Sequence, residues 1–198
     1  MTPSPLQQLE LRRRSVRRYA DRPVPDDAIL SILESARQAP SADNTQPWRF
    51  VVMKDPGVRE KLARASLSGI FSHTRFAGRA PVLIALCAQR AGLIEAGKTI
   101  KDRAMYQLDC GIAGEHLVLR AEELGLGTCW IGWFNRRAAR RTLGVPFHVR
   151  VVALIAVGYP AADAGPRPRK RMPLSSMAFL DAWGREYPGA VSQEESEK

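Results

Sequence analysis

The chain has 198 residues and a mass of 21.9 kDa, with 45% hydrophobic and 25% charged residues. This fits one globular domain and excludes a disordered chain, a collagen-like repeat or a disulfide-dense scaffold. Thirty Lys and Arg against twenty Asp and Glu leave a net charge of +10, which favours an anionic partner: nucleic acid, an acidic membrane surface or a phosphorylated ligand. The longest apolar stretch, residues 149–159, is broken by Arg150 and falls far short of the ~20 residues a membrane span needs. Residues 1–10 run straight into Arg12, Arg13 and Arg14 without the apolar run and small-residue cleavage site of a secretory signal. A cytoplasmic protein that does not enter the membrane is expected.

In chain order, Ile29, Leu30, Leu33 and Ala36 recur at helical spacing after Pro25, which predicts an amphipathic helix with Asp26 as N-cap, ending before Pro40. A polar loop follows. The runs RFVVMK (49–54), VLIALCA (82–88) and VRVVALIAVG (149–158) read as buried strands. Residues 55–68 carry helical spacing. So does the region after Arg103, where Leu108, Ile112, Leu117, Leu119 and Leu124 lie on more than one face and predict a helix buried nearly all round. Gly125 and Gly127 stop it, and residues 128–131 read as another strand. Asn135 caps a short Arg-rich helix that ends at Gly144-Val145-Pro146. The Pro- and Arg-rich residues 161–173 form a connector to a short helical segment over 174–183, whose Met177, Phe179, Leu180 and Trp183 lack a core of their own.

The usual catalytic signatures are missing. Three histidines and three cysteines show no metal-ligand spacing. Cys110 and His116 point apart on a helix, six residues being ~240° of rotation. Neither G-x-G-x-x-G nor G-x-x-x-x-G-K-S/T occurs in its proper context. Cys87, Cys110 and Cys129 lie in apolar surroundings and read as buried, reduced thiols, none in an electropositive, exposed-looking setting. What remains is a cluster of Arg12, Arg13, Arg14, Arg17 and Arg18 around Ser15, and a second of Arg167, Arg169, Lys170 and Arg171. Guanidinium forks match phosphate oxygens, so the two clusters together would clamp a phosphate, whereas separately they read as solvated basic faces. Between them lies the loop Pro40-Ser41-Ala42-Asp43-Asn44-Thr45-Gln46-Pro47-Trp48, rich in hydrogen-bonding side chains or else a capped helix-to-strand turn. Trp48 itself reads as core.

RRSVRRY (13–19) followed by APSADNTQPWRFVV (39–52) closely resembles the FMN-dependent nitroreductase family. The likeness continues in order through FAGRAPVLIALC (76–87), DCGIAGEHLVLRAEELGLGTCWIGWFN (109–135), VRVVALIAVGYP (149–160) and RKRMPL (169–174), covering about residues 10–180. It implies an α+β nitroreductase-like fold: a central, mainly antiparallel sheet flanked by helices, in an intertwined homodimer with two FMN sites at the interface. The whole of residues 1–198 would form one FMN-binding domain, with an arm from about 161 docked on the partner subunit.

By the same resemblance, Arg13, Arg14, Ser15 and Arg17 would meet the FMN phosphate and ribityl chain, and Arg169 and Arg171 would complete the grip. Pro40, Ser41 and Ala42 would line the flavin of the partner subunit, while Asn44 and Gln46 bond its ribityl or ring-edge atoms. A backbone N–H of Ile131 or Gly132 would donate to flavin N5, with no side-chain catalyst. Many relatives carry an Asn-Lys pair before the A-P-V-L strand, near flavin N1 and O2; here Thr74 and Arg75 stand there, beside His73. Residues 67–75 and 97–106 are expected to cover the flavin. The implied activity is ping-pong oxidoreduction, hydride passing from NADH or NADPH through FMN to an electron-poor small molecule such as a nitroaromatic or quinone. Dehalogenation on the same fold and a basic nucleic-acid-binding module are the alternatives. The second is disfavoured because aromatics make up 7% and are not interleaved with the basic clusters.

Overall fold

The computed structural model describes residues 2–89, 105–165 and 170–190. They fall into two compact units, Met1–Ala164 and Gly165–Lys198.

The first unit is built on a four-stranded sheet of β1 (Trp48–Met53), β2 (Val82–Gln89), β3 (Gly127–Ile131) and β4 (Val149–Gly158). Their order is β1-β2-β4-β3 with every pair antiparallel. Alternate side chains leave the two faces of a strand, and β2 and β4 bury both. On one face Ile84, Leu86, Ile155 and Val157 pack with Ile32 of α2 (Asp26–Arg37) and with Cys110, Leu117 and Val118 of α4 (Met105–Glu123). On the other, Leu83, Ala85, Leu154 and Ala156 pack with Leu62 of α3 (Pro56–Ser66), Ala77, and Ala139 of α5 (Arg136–Thr142). The expected antiparallel sheet between helices is present in this unit. No helix among the described residues is long and apolar enough to cross a membrane.

Four local expectations need correction. Asp26 is the first helical residue of α2 rather than its cap, which is Pro25; the Asp26 carboxylate instead pairs with Lys54. The strand β1 is at an edge and only half buried, with Arg49 exposed. The helix α4 is not buried all round, because Gln107, Leu108, Gly111 and Glu115 face outward. Over 174–183 only Leu174–Ser176 is helical, as one 3-10 turn. Two elements escaped the sequence pattern. Helix α1 (Pro5–Arg12) buries no side chain and shows itself only in its capping box, Ser4 with Gln7. Gly69–Arg79 is a string of 3-10 turns, whose period differs from either template applied.

In the second unit, Leu180 N–H donates to Arg185 O at 2.8 Å, closing a turn across which Phe179 and Glu186 bridge. The Phe179 and Trp183 rings meet at 4.9 Å. Met177 and Trp183 are exposed, and Phe179 and Leu180 are half-buried.

Candidate functional site

The N-terminal arm after α1 lies along the free edge of β3. Ser15 forms a parallel bridge with Thr128, and Val16 N–H donates to Thr128 O at 2.8 Å. This close approach needs a glycine. A Cβ on Gly127 would come within 2.6 Å of Val16 Cγ2 and 2.8 Å of its Cβ. Farther along, Tyr19 donates its hydroxyl to Val16 O at 2.6 Å, and Ala20 N–H bonds to Tyr159 O. Arg13 pairs with Glu115 of α4 at 3.9 Å, and Arg12 with Glu122 at 3.8 Å. Arg17 is exposed and has no carboxylate partner among the described residues; its guanidinium lies 5.9 Å over the Phe76 ring.

Cys129 comes into this cluster. Its sulfur is buried, hydrogen-bonded with the Ser15 side chain, and subject to the charges of Arg17 and Arg13. The sequence predicts no cysteine in a setting both electropositive and exposed; Cys129 meets the first condition but not the second, because the β3 register, not its neighbours in sequence, brings it buried under the arm. Burial still dominates. It raises the Cys129 thiol above its ordinary value even though Arg17, Ser15 and Arg13 pull it down. Tyr19 is raised as well, by burial first and by Cys129 second. Cys87 is pushed up to about 11 and Cys110 to about 12, both chiefly by burial. All three cysteines are free, and burial disfavours the thiolate form of each.

At the other end of β3, Ile131 is buried and Gly132 is exposed. A Cβ built on Gly132 would meet nothing within 4 Å, so there is open space on that side of the residue, while its carbonyl accepts from Arg136 at 3.1 Å. Beside it Trp133, 59% exposed, is touched edge-on by His73 at 5.8 Å and by Phe71 at 6.4 Å. Thr74 is buried and donates its hydroxyl to Phe71 O at 2.7 Å. Thr74 is thereby a structural residue of the turn, whereas Arg75 next to it is exposed. The string of 3-10 turns thus spans from Trp133 to Phe76 below Arg17. The part of the flavin cover expected at 97–104 lies outside the described residues, as does Arg169.

The polar loop is elsewhere. Pro40, Ser41, Ala42, Asn44 and Gln46 precede β1, at the opposite sheet edge from β3, with β2 and β4 between them. Three strand spacings make roughly 14 Å of sheet. The loop is strained and pinned: Asp43, Asn44 and Gln46 have φ of 49°, 54° and 44°, a region that L-residues enter at a cost. The buried Asp109 accepts from Ala42 N–H at 3.1 Å, and Ser41 Oγ accepts from Gln46 N–H at 2.9 Å. Gln46 Nε2 donates to Asn44 Oδ1 at 2.9 Å. Among the described residues no hydrogen bond uses Asn44 Nδ2 or Gln46 Oε1. Trp48, 5% exposed, is core. Within the second unit Arg171 is exposed, its Nη1 donating to Lys170 O at 3.4 Å.

The first unit therefore brings Arg13, Arg14, Ser15, Arg17, Arg75, Ile131 and Gly132 to one strand and its flanking turns, and keeps Pro40 to Gln46 on the far edge. An antiparallel sheet between helical layers, with a cationic arm along one edge strand, defines an α+β protein. The model of the nitroreductase family matches residues 11–159, and the chain belongs to that family. It is 34% identical over 196 residues to a Thermus thermophilus protein named NADH dehydrogenase, covering 85% of this chain and 92% of that one. It is 29% identical over 188 residues to human iodotyrosine deiodinase 1, covering 84% of this chain and 65% of the relative. The FMN-dependent nitroreductase of Clostridium difficile superposes with a TM-score of 0.73 at 25% identity, covering 88% of this chain and 98% of that structure.

Proposed function

We propose that this protein is an FMN-dependent oxidoreductase that takes hydride from NADH or NADPH and delivers it to an electron-poor small molecule, a nitroaromatic or a quinone, as a homodimer. The observation that carries this is the alignment of three features along β3 in a chain of the nitroreductase family. These are the Arg13–Ser15–Arg17 arm, the exposed Gly132 with free space where a Cβ would stand, and the exposed cation of Arg75. FMN, held by these residues, would supply the redox chemistry that carries hydride from the donor to the acceptor in a ping-pong cycle. These residues suit it: cations at one end match a phosphate dianion, and the space before Gly132 is what a Cβ would occupy.

In this reading Arg13, Arg14, Ser15 and Arg17 hold the phosphate and ribityl chain, joined by Arg169 and Arg171. The Ile131 or Gly132 N–H donates toward N5 and polarises it without any titrating group. Arg75 balances negative charge at the N1 and O2 edge. Pro40, Ser41, Ala42, Asn44 and Gln46 act from a second copy of the chain, since their own copy holds them on the far edge of the sheet. No cysteine takes part.

The test is anaerobic mixing of the purified protein with NADH and with NADPH, followed by a benzoquinone or a nitroaromatic. The expected result is a yellow protein whose flavin absorbance bleaches and then returns. A colourless protein that does not take up FMN overturns the reading. The likeness to iodotyrosine deiodinase makes reductive dehalogenation of a halogenated phenol the second reaction to try on the reduced protein.

A further inference from the structure

A groove of about 550 Å³ opens at the start of β4, walled by Arg136, Arg137 and Arg140 of α5, by Arg150, and by the rings of Tyr106 and Phe147. The volume lies within the roughly 300–1,000 Å³ of small-molecule sites. Among the described residues, none lining it carries a carboxylate. Four like charges around one concavity repel each other, so a polyvalent anion that enters relieves that repulsion and gains forked hydrogen bonds. Two of the guanidiniums are already anchored. Arg136 donates to Gly132 O at 3.1 Å and lies 5.3 Å over Phe134, and Arg140 donates to Val145 O at 3.4 Å. Arg137 and Arg150 are exposed and form no ion pair among the described residues. Phe147 is 87% exposed, an unusual position for a large apolar ring beside a charged groove. Its free face can stack on a base.

We infer that this groove receives the phosphorylated adenosine end of the hydride donor, so that the donor is NADPH rather than NADH. The inference rests on the proposed oxidoreductase function. What links the groove to that site is Arg136, which lines the groove and donates to Gly132 O. A dinucleotide reaching Gly132 with its nicotinamide carries its phosphates within the neighbourhood of α5. The 2′-phosphate that distinguishes the two donors is a dianion near neutral pH, the ligand for which unpaired arginines select.

Calorimetric titration of the FMN-loaded protein with adenosine 2′,5′-bisphosphate and with adenosine 5′-monophosphate tests this without turnover. The bisphosphate is expected to bind at least about tenfold more tightly. Combining R137A with R150A should weaken it roughly 10- to 100-fold, the scale of one or two charge-assisted bonds, with FMN content unchanged. R141A, on the same helix but outside the groove, should leave binding intact. In turnover the double variant should raise KM for NADPH and spare that for NADH. Equal affinity for the two nucleotides, or unchanged binding in the double variant, overturns the proposal. So does salt-dependent binding of a DNA duplex by these arginines when the bisphosphate does not bind. A protein that binds the bisphosphate through Arg137 and Arg150 but oxidises neither dinucleotide keeps the groove and refutes the oxidoreductase reading, so the two fail separately.

Discussion

Val16 lies against Gly127 so closely that any side chain at 127 would collide with it, a Cβ there falling 2.6 Å from Val16 Cγ2. This contact seats the arginine-bearing arm on β3, with the Val16 N–H to Thr128 O bond beside it. Gly127→Ala should therefore cost about 1–3 kcal/mol, the range for overpacking, and weaken FMN as the arm shifts. Gly132→Ala is the contrasting change: nothing stands within 4 Å of the added Cβ, so the fold should keep its melting temperature while FMN binding falls. Thermal melts with FMN titrations read both, and a Gly127→Ala protein that melts and binds like the parent would mean the arm is not held by this contact.

The phosphate grip separates functional arginines from a solvated basic face. Arg17→Ala or Arg171→Ala should cost about 1.5–3 kcal/mol if either makes a charge-assisted bond to the FMN phosphate, or roughly 10- to 200-fold in affinity. Riboflavin, which lacks the phosphate, should bind these variants almost as it binds the parent. Arg137→Ala and Arg140→Ala should leave both flavins unchanged. Equal losses for FMN and riboflavin, or no loss for either, would remove Arg17 and Arg171 from the site.

Thiols should be dispensable for electron transfer. Replacing Cys87, Cys110 and Cys129 by Ala or Ser should leave flavin reduction by NAD(P)H in place, and loss of reduction with FMN still bound in the Cys129 variant would establish a thiol step. The same thiols shape the alkaline limb of stability. Their folded values lie above the ordinary 9.0, at about 11 for Cys87 and about 12 for Cys110. Folding thus retains protons that the unfolded chain would release. That contribution is complete below pH 9 and is lost as pH rises through about 11 and 12. Chemical unfolding of the parent across pH 8 to 12 should show a decline that the Cys87→Ala, Cys110→Ala protein shows less steeply.

Separation of the polar loop from the β3 site by the width of the sheet makes a stable dimer the expected species. Sedimentation at micromolar concentration should give twice 21.9 kDa, and a monomer with FMN bound would sink the shared site. Mixed dimers sharpen this. One chain with Arg17→Ala and one with Gln46→Ala should form one site carrying both lesions and one carrying neither, restoring tight FMN binding to half the sites.

Much of the fold was legible before any coordinates because its signals are local. Strand β4 spans Val149–Gly158 as its apolar run foretold, Asn135 accepts from Ala138 N–H as the cap of α5, and Gly125 and Gly144 take positive φ where they end helices. Family membership was equally legible, since ordered motifs survive as strings of letters. Helix α1 was missed because it buries nothing and so carries no periodicity. The half-exposed β1 was misjudged because its letters resemble those of β2, and only the strand order makes it an edge. Burial of Cys129 beneath Arg17, separation of Gln46 from Gly132, and convergence of Arg150 with Arg136 on one groove join residues far apart in sequence. Pairing register and strand order decide such neighbours, and no pattern along the chain encodes them until the sheet is assembled.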